Sequence, residues 1–124
     1  MELLLPPADN RCALPNDLAP LLDRIRLLAD RLPDGSPDRL LEELEDTLTD
    51  GYALALSLEG ESMRIEKEIG ATLAAANGTA EETERLDALT TRLAATNREV
   101  GALRAHLASL RIRTESVRAA ALAP

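Results

Sequence analysis

The sequence predicts an all-α protein: a long antiparallel coiled-coil helical hairpin with a short N-terminal helix packed at its base. Three observations lead to this class. Aromatic residues make up only 1% of the 124 residues, too few for a β-sandwich or barrel, while leucine and alanine favour helices. Two long stretches carry apolar residues at alternating spacings of three and four, which is the pattern of coiled coils. A strong turn signal separates these two stretches.

The N-terminal part of the chain is rich in proline. Residues 1–16 contain three prolines, and we expect an extended arm there. A first helix is predicted over residues 17–32, with Asn16 or Asp17 as its N-cap. The following sequence, PDGSP, ends this helix and supplies a new start, because a cap residue followed by proline is typical of a helix N-terminus. Residues 17–124 are predicted to form a single helical domain.

The two long helices are predicted over residues 37–76 and 80–121. Each carries an apolar stripe about five heptads long, and these two stripes form the predicted seam between the helices. The seam positions are Leu41, Leu44, Leu48, Gly51, Ala55, Leu58, Ser62, Ile65, Ile69, Thr72 and Ala76, then Leu86, Leu89, Leu93, Thr96, Val100, Leu103, Leu107, Leu110, Thr114, Val117 and Ala121.

The sequence AAANGTAEE joins the two long helices. Gly78 can adopt the left-handed conformation that ends a helix, and Thr79 with Glu82 forms a capping box for the next one. A tight reversal there makes the two helices antiparallel. The resulting register predicts core pairs and flanking ion pairs, among them Gly51 with Leu107, Ser62 with Thr96, Asp38 with Arg118, and Glu45 with Arg111.

Several apolar residues lie off the seam. Leu40, Leu54, Leu56 and Ile112 are of this kind, and we expect the first helix to bury some of them. Alternatively they meet a second copy of the chain, giving a four-helix homodimer. Leu54, Leu56 and Ile112 are therefore predicted to bind a partner.

Composition narrows the classes of function. A net charge of −8 argues against nucleic acid as a partner, because phosphate binding needs a basic surface. The start of the chain lacks the pattern of a signal peptide, and the longest uncharged run is too short to cross a membrane. We therefore expect a soluble cytoplasmic protein without a membrane partner. The single cysteine and single histidine provide no metal cluster, and no cofactor is predicted.

One acidic sequence on the second helix is a candidate catalytic site. Glu42, Glu43 and Asp46 form E-E-x-x-D on the second helix. This string resembles half of the motif of the all-α nucleotide pyrophosphohydrolases of the MazG type, and the resemblance implies Mg²⁺-dependent hydrolysis of a nucleotide. The family's E-x-x-E on the preceding helix and its later E-x-x-D have no counterpart here. The carboxylates also suit a helix start, so no catalytic or metal residue is predicted.

A second acidic group follows the turn. Glu81, Glu82 and Glu84 complement the dipole at the start of the third helix. They would also give the hairpin an acidic tip that binds a partner. Such a tip is similar in architecture to that of the regulators that insert a coiled coil into the secondary channel of RNA polymerase.

The sequence as a whole favours a binding protein over an enzyme. The heptads, the incomplete catalytic sets and the off-seam apolar residues predict a non-enzymatic module for protein–protein interaction. It would act as an adaptor, a chaperone or a regulatory subunit, through a helical face or the hairpin tip. Its general build is similar to that of long-helix secretion chaperones of the flagellar type. We expect a homodimer, because two copies would bury more apolar surface than one.

Overall fold

The computed structural model describes the backbone of residues 6–30 and 37–122, and the side chains of residues 18–30 and 37–122. These residues form three helices: α1 (Pro6–Asp30), α2 (Pro37–Ala74) and α3 (Ala80–Leu122). The described part of the chain contains no β-strand, which confirms the all-α class.

Helix α1 begins earlier than the sequence predicts. Residues 6–16 are helical, so the expectation of an extended arm over residues 1–16 is corrected there. Proline is accepted in the first turn of a helix, where its missing N–H has no helical partner, and Pro6 and Pro7 occupy the first two positions. The helix also continues through Pro15. Residues 1–5, and the predicted helix end at residue 32, lie outside the described residues.

Helices α2 and α3 lie close to their predicted ranges. Helix α2 ends at Ala74, two residues before the predicted end, and α3 extends one residue further than predicted. Between them Gly78 has a φ of 79°, in the left-handed region that glycine adopts without strain. Gly78 therefore lies in the connection between the two helices, four residues after the end of α2, and does not itself end the helix.

The contacts divide the chain into two compact units. Unit 1 takes the chain up to Leu54 and from Leu103 onward, and unit 2 is Ala55–Ala102. The single domain expected over residues 17–124 stays a prediction.

Unit 1 contains α1, the first part of α2 and the last part of α3. All three contribute buried side chains, and those of α2 fall on two neighbouring stripes: the seam positions and a second stripe at residues 40, 47 and 54. The second stripe contacts α1 at Thr47, whose hydroxyl accepts a hydrogen bond of 3.1 Å from Arg24. The buried residues are Leu18, Leu21, Ile25, Leu28, Leu40, Leu44, Thr47, Gly51, Leu54, Leu103, Leu107, Leu110, Thr114 and Val117.

Gly51 allows a close approach between α2 and α3 in unit 1. A Cβ added at this position would overlap a Cδ atom of Leu107 and lie 3.3 Å from its Cγ. Leu107 is fully buried, so its side chain cannot move out into solvent to make room for a Cβ at residue 51. The predicted pair of Gly51 with Leu107 is confirmed.

The ion pair predicted for Arg118 is wrong. Arg118 binds Glu45, with a nitrogen–oxygen distance of 2.6 Å. The sequence predicts two other pairs, Asp38 with Arg118 and Glu45 with Arg111. The observed and predicted partners on each helix are seven residues apart, so they occupy equivalent heptad positions. Exposed pairs of this kind contribute little to stability, too little for the sequence to distinguish between them.

Unit 2 contains the last part of α2 and the first part of α3. Its buried apolar residues are few: Ala55, Leu58, Ile65 and Leu89. Polar contacts join the two helices beside them. Residues later in α2 contact residues earlier in α3, which is the order of antiparallel neighbours: Glu61 with Arg92 at 2.7 Å, and Glu68 with Arg85.

A polar contact between α2 and α3 in unit 2 differs by one residue from the prediction. The Ser62 hydroxyl donates a hydrogen bond of 2.8 Å to the side-chain oxygen of Asn97, whereas the sequence predicts Thr96 as its partner. Thr96 is half-buried beside it. The longer asparagine side chain reaches Ser62 from a position flanking the seam, which a strict heptad pattern does not include.

Candidate partner-binding surfaces

The three apolar residues predicted to bind a partner have different environments. Leu54 is only 8% exposed, because it belongs to the buried stripe of Thr47 in unit 1. Leu54 is therefore removed from the candidate surface. Leu56, 65% exposed, and Ile112, 72% exposed, remain available to a partner. Leu56 belongs to unit 2 and Ile112 to unit 1, so they are treated as separate surfaces.

Leu56 belongs to a face on α2 in unit 2 whose residues are exposed apart from the half-buried Gly60. Met63, 66% exposed, follows it by seven residues. Met63 is also two residues from the buried Ile65, which places it about 160° around the helix from that residue. We call this surface the outer α2 face; it consists of Leu56, Gly60, Met63, Lys67, Gly70 and Ala74.

A shallow groove of about 600 Å³ lies at the centre of the outer α2 face. It is lined by Gly60, Met63, Arg64, Glu66 and Lys67. The Arg64 guanidinium is held at one edge by two hydrogen bonds, of 2.8 and 3.2 Å, to one carboxylate oxygen of Glu61. The groove is thus apolar along its floor and charged at its edges, a combination typical of protein-binding surfaces.

Glu61 links this face to α3. Its side chain is only 13% exposed, and its second carboxylate oxygen binds Arg92. The same carboxylate therefore accepts hydrogen bonds from an arginine on each helix. A charged group at this depth is stable only when paired, so Glu61 fixes both the edge of the groove and its position against α3.

Unit 1 has a smaller groove of about 220 Å³ between α1 and α2. Arg24 crosses it, binding Asp50 at 3.1 Å as well as Thr47. Two acids of the E-E-x-x-D string, Glu43 and Asp46, lie on its α2 side. Among the described residues, no group of three or more acids, histidines or cysteines is arranged to hold a metal ion.

The acids after the turn have one clear structural role. The Glu82 carboxylate accepts hydrogen bonds from the backbone N–H groups of Asn77 and Thr79, at 2.8 and 3.0 Å. The Thr79 hydroxyl in return accepts one of 3.1 Å from the N–H of Glu82, completing the capping box. Hydrogen bonds from the N–H groups of Thr79 and Asn77 hold the pKa of Glu82 below its ordinary value of 4.5. Glu81 and Glu84 are exposed.

The sequence pattern alone did not indicate the outer α2 face as a unit. Of its residues only Leu56 is predicted to bind a partner, and Met63, Gly60 and Gly70 are not. The available signal was a second series with alternating spacings of four and three, at residues 56, 60, 63, 67, 70 and 74, offset from the seam. Glycine in place of leucine at two of these positions concealed it.

No described helix combines enough length with enough apolar character to cross a membrane.

Comparison with known proteins gives no information on function, so the function is inferred from the surfaces described above. No protein-family model matches the chain, and no curated protein or solved structure shows significant similarity to it.

Proposed function

We propose that this protein is a non-enzymatic interaction module that binds another protein through the outer α2 face of an antiparallel coiled-coil hairpin in unit 2. The exposure of Leu56 and Met63 on one side of α2, with only small residues and one lysine between and beyond them, supports this proposal. Single exposed apolar residues are normal on protein surfaces, whereas a continuous apolar stripe along a helix is the usual docking surface for another helix.

The apolar contribution of this face to binding can be bounded. Fully burying a leucine or methionine contributes about 1.5–3 kcal/mol. Leu56 and Met63 are each about two-thirds exposed, so a partner would gain roughly 2–4 kcal/mol from covering both. A micromolar complex requires about 8 kcal/mol. The partner must therefore also contact the helix backbone at the glycines and the charged groups at the edges.

Within this proposal the protein acts as an adaptor, a chaperone or a regulatory subunit, and we expect it in the cytoplasm. The outer α2 face is preferred to the acidic turn as the binding surface, because Glu82 is already committed to the capping box. Glu81 and Glu84 then serve the helix start, where acids are favourable without any partner.

The test is affinity capture with matched surface variants, read by quantitative mass spectrometry. Met63→Glu places a charge at the centre of the outer α2 face, and Ile112→Glu makes the same change at an equally exposed position in unit 1. We expect a set of proteins captured by the unchanged chain and by Ile112→Glu, but lost with Met63→Glu. Circular dichroism should show the same helicity for all three chains, because both positions are exposed.

Two outcomes would overturn the proposal. If Met63→Glu retains every captured protein, the outer α2 face is not the binding surface. If Ile112→Glu loses them instead, the partner binds unit 1.

A further inference from the structure

Lys67 is the one charged residue within the outer α2 face. It is the only lysine of the chain, against thirteen arginines. Its side chain is exposed and takes part in none of the hydrogen bonds or ion pairs found among the described residues. The neighbouring acid Glu68 binds Arg85 across the seam, and Arg64 is held by Glu61. An ammonium group therefore stands free in the middle of an otherwise apolar stripe.

Two glycines on this face have no structural role within the described chain. A Cβ at Gly70 would meet nothing within 4 Å, and one at Gly60 would meet only the far end of Arg64 at 3.7 Å. Neither glycine has a positive φ. A glycine inside a helix costs about 1 kcal/mol relative to alanine. On an exposed face, its specific advantage is that another backbone can approach closely.

A second copy of this chain fits the face poorly. A parallel copy in register would bring Lys67 against the copy's Lys67. In the antiparallel register that places Lys67 opposite Met63 of the copy, Glu66 would face glutamate and Arg64 would face arginine. Like charges at these positions oppose pairing. The charge pattern therefore favours a different chain as the occupant.

We propose that the outer α2 face receives an amphipathic helix of another protein, one that carries an acidic residue within its own apolar stripe. The acid pairs with Lys67, and small or medium apolar residues on either side pack over Gly60 and Gly70. This inference rests on the proposed function and specifies its partner. Burial beside Leu56 and Met63 would strengthen the pair, because a charge-assisted hydrogen bond gains strength away from water.

The test uses designed helical peptides as probes. The acidic probe has three heptads, leucine and alanine in its apolar stripe, and one glutamate at the centre of that stripe; the basic probe has lysine there instead. Fluorescence anisotropy measures the dissociation constant of each probe with the full chain. We expect the acidic probe to bind about tenfold more tightly than the basic one, and Lys67→Glu to reverse this preference.

The glycine contacts have their own matched control. Gly70→Leu should weaken binding of the acidic probe about tenfold by blocking the close approach. Gly101→Leu should leave binding unchanged, because Gly101 is an exposed glycine on α3 with equally open surroundings.

The outcomes separate the two proposals. If both probes bind equally well to the unchanged chain and to Lys67→Glu, while Met63→Glu abolishes binding, the acidic partner is refuted and the proposed function stands. If neither probe binds up to millimolar concentration, or if Met63→Glu binds both as the unchanged chain does, both proposals fail at this face.

Discussion

The close contact between Gly51 and Leu107 gives the sharpest test of the packing in unit 1. Alanine at residue 51 is a small change, and on an exposed helix it would be stabilising. Here the added methyl group would overlap a Cδ atom of Leu107, which is fully buried and has no free space to move into. We predict that Gly51→Ala lowers the free energy of unfolding.

The size of the effect follows from two opposing terms. Forcing an extra methyl group into a packed core costs about 1–3 kcal/mol. Replacing a helical glycine by alanine returns about 1 kcal/mol. The net loss for Gly51→Ala is therefore roughly 1 kcal/mol. Gly101→Ala has open surroundings, so it should gain the helical term alone, about 1 kcal/mol of stability.

Thermal unfolding followed by circular dichroism is the assay, with urea unfolding to obtain the free energies. For a chain of this length, 1 kcal/mol shifts Tm by roughly 3–5 °C. We expect Tm to fall in Gly51→Ala and rise in Gly101→Ala, each by a few degrees. In a Leu107→Val background, which removes the overlapping atom, Gly51→Ala should become stabilising.

One result would refute this reasoning. If Gly51→Ala raises Tm as much as Gly101→Ala does, the two helices do not approach closely at Leu107. A double-mutant cycle with no coupling between residues 51 and 107 would lead to the same conclusion.

Four further predictions concern the turn, the acidic string and the assembly. Thr79→Ala should cost about 0.5–2 kcal/mol of stability in urea unfolding, because it removes the hydroxyl that caps α3. The lowered pKa of Glu82 means that its capping bonds stabilise the folded chain above pH 4.5 and are lost as pH falls through the folded pKa, so Glu82→Gln should show a smaller loss of stability on acidification. Mg²⁺ with a panel of nucleotides should leave Tm unchanged; a rise would instead support the pyrophosphohydrolase alternative. Light scattering over a range of concentrations should give the mass of the predicted homodimer, and a constant monomer mass would contradict it.

Local signals in the sequence placed the two long helices. Pro37 and Gly78 act through their own backbone conformation, and Thr79 acts through its bonds with Glu82, so these effects can be recognised without knowledge of the fold. The register also predicted Gly51 opposite Leu107 correctly, because the two helices start from a turn of known position. The start of α1 was missed because proline is compatible with both an extended segment and a first helical turn.

The details beyond the seam were less predictable. The sequence could not predict that Glu45 binds Arg118. Several acids and arginines repeat at heptad spacing, and a periodic pattern does not distinguish between equivalent turns of the helix. Leu54 was expected to bind a partner but is buried, because α2 has a second stripe through Thr47 that contacts α1. The outer α2 face was recognised only in part, since its two glycines carry no apolar signal.

The capping box between Thr79 and Glu82 also has a consequence for the rate of folding. Its hydrogen bonds join residues at most five apart in sequence, so they close with little loss of chain entropy. The ion pair of Glu68 with Arg85 spans 17 residues, and that of Glu61 with Arg92 spans 31. The contacts of unit 2 can therefore form successively, starting at the turn. Each new contact then closes only a short loop, and such local contacts favour rapid folding. We therefore expect the turn to be formed in the transition state, and weakening the turn should then slow folding more than it accelerates unfolding.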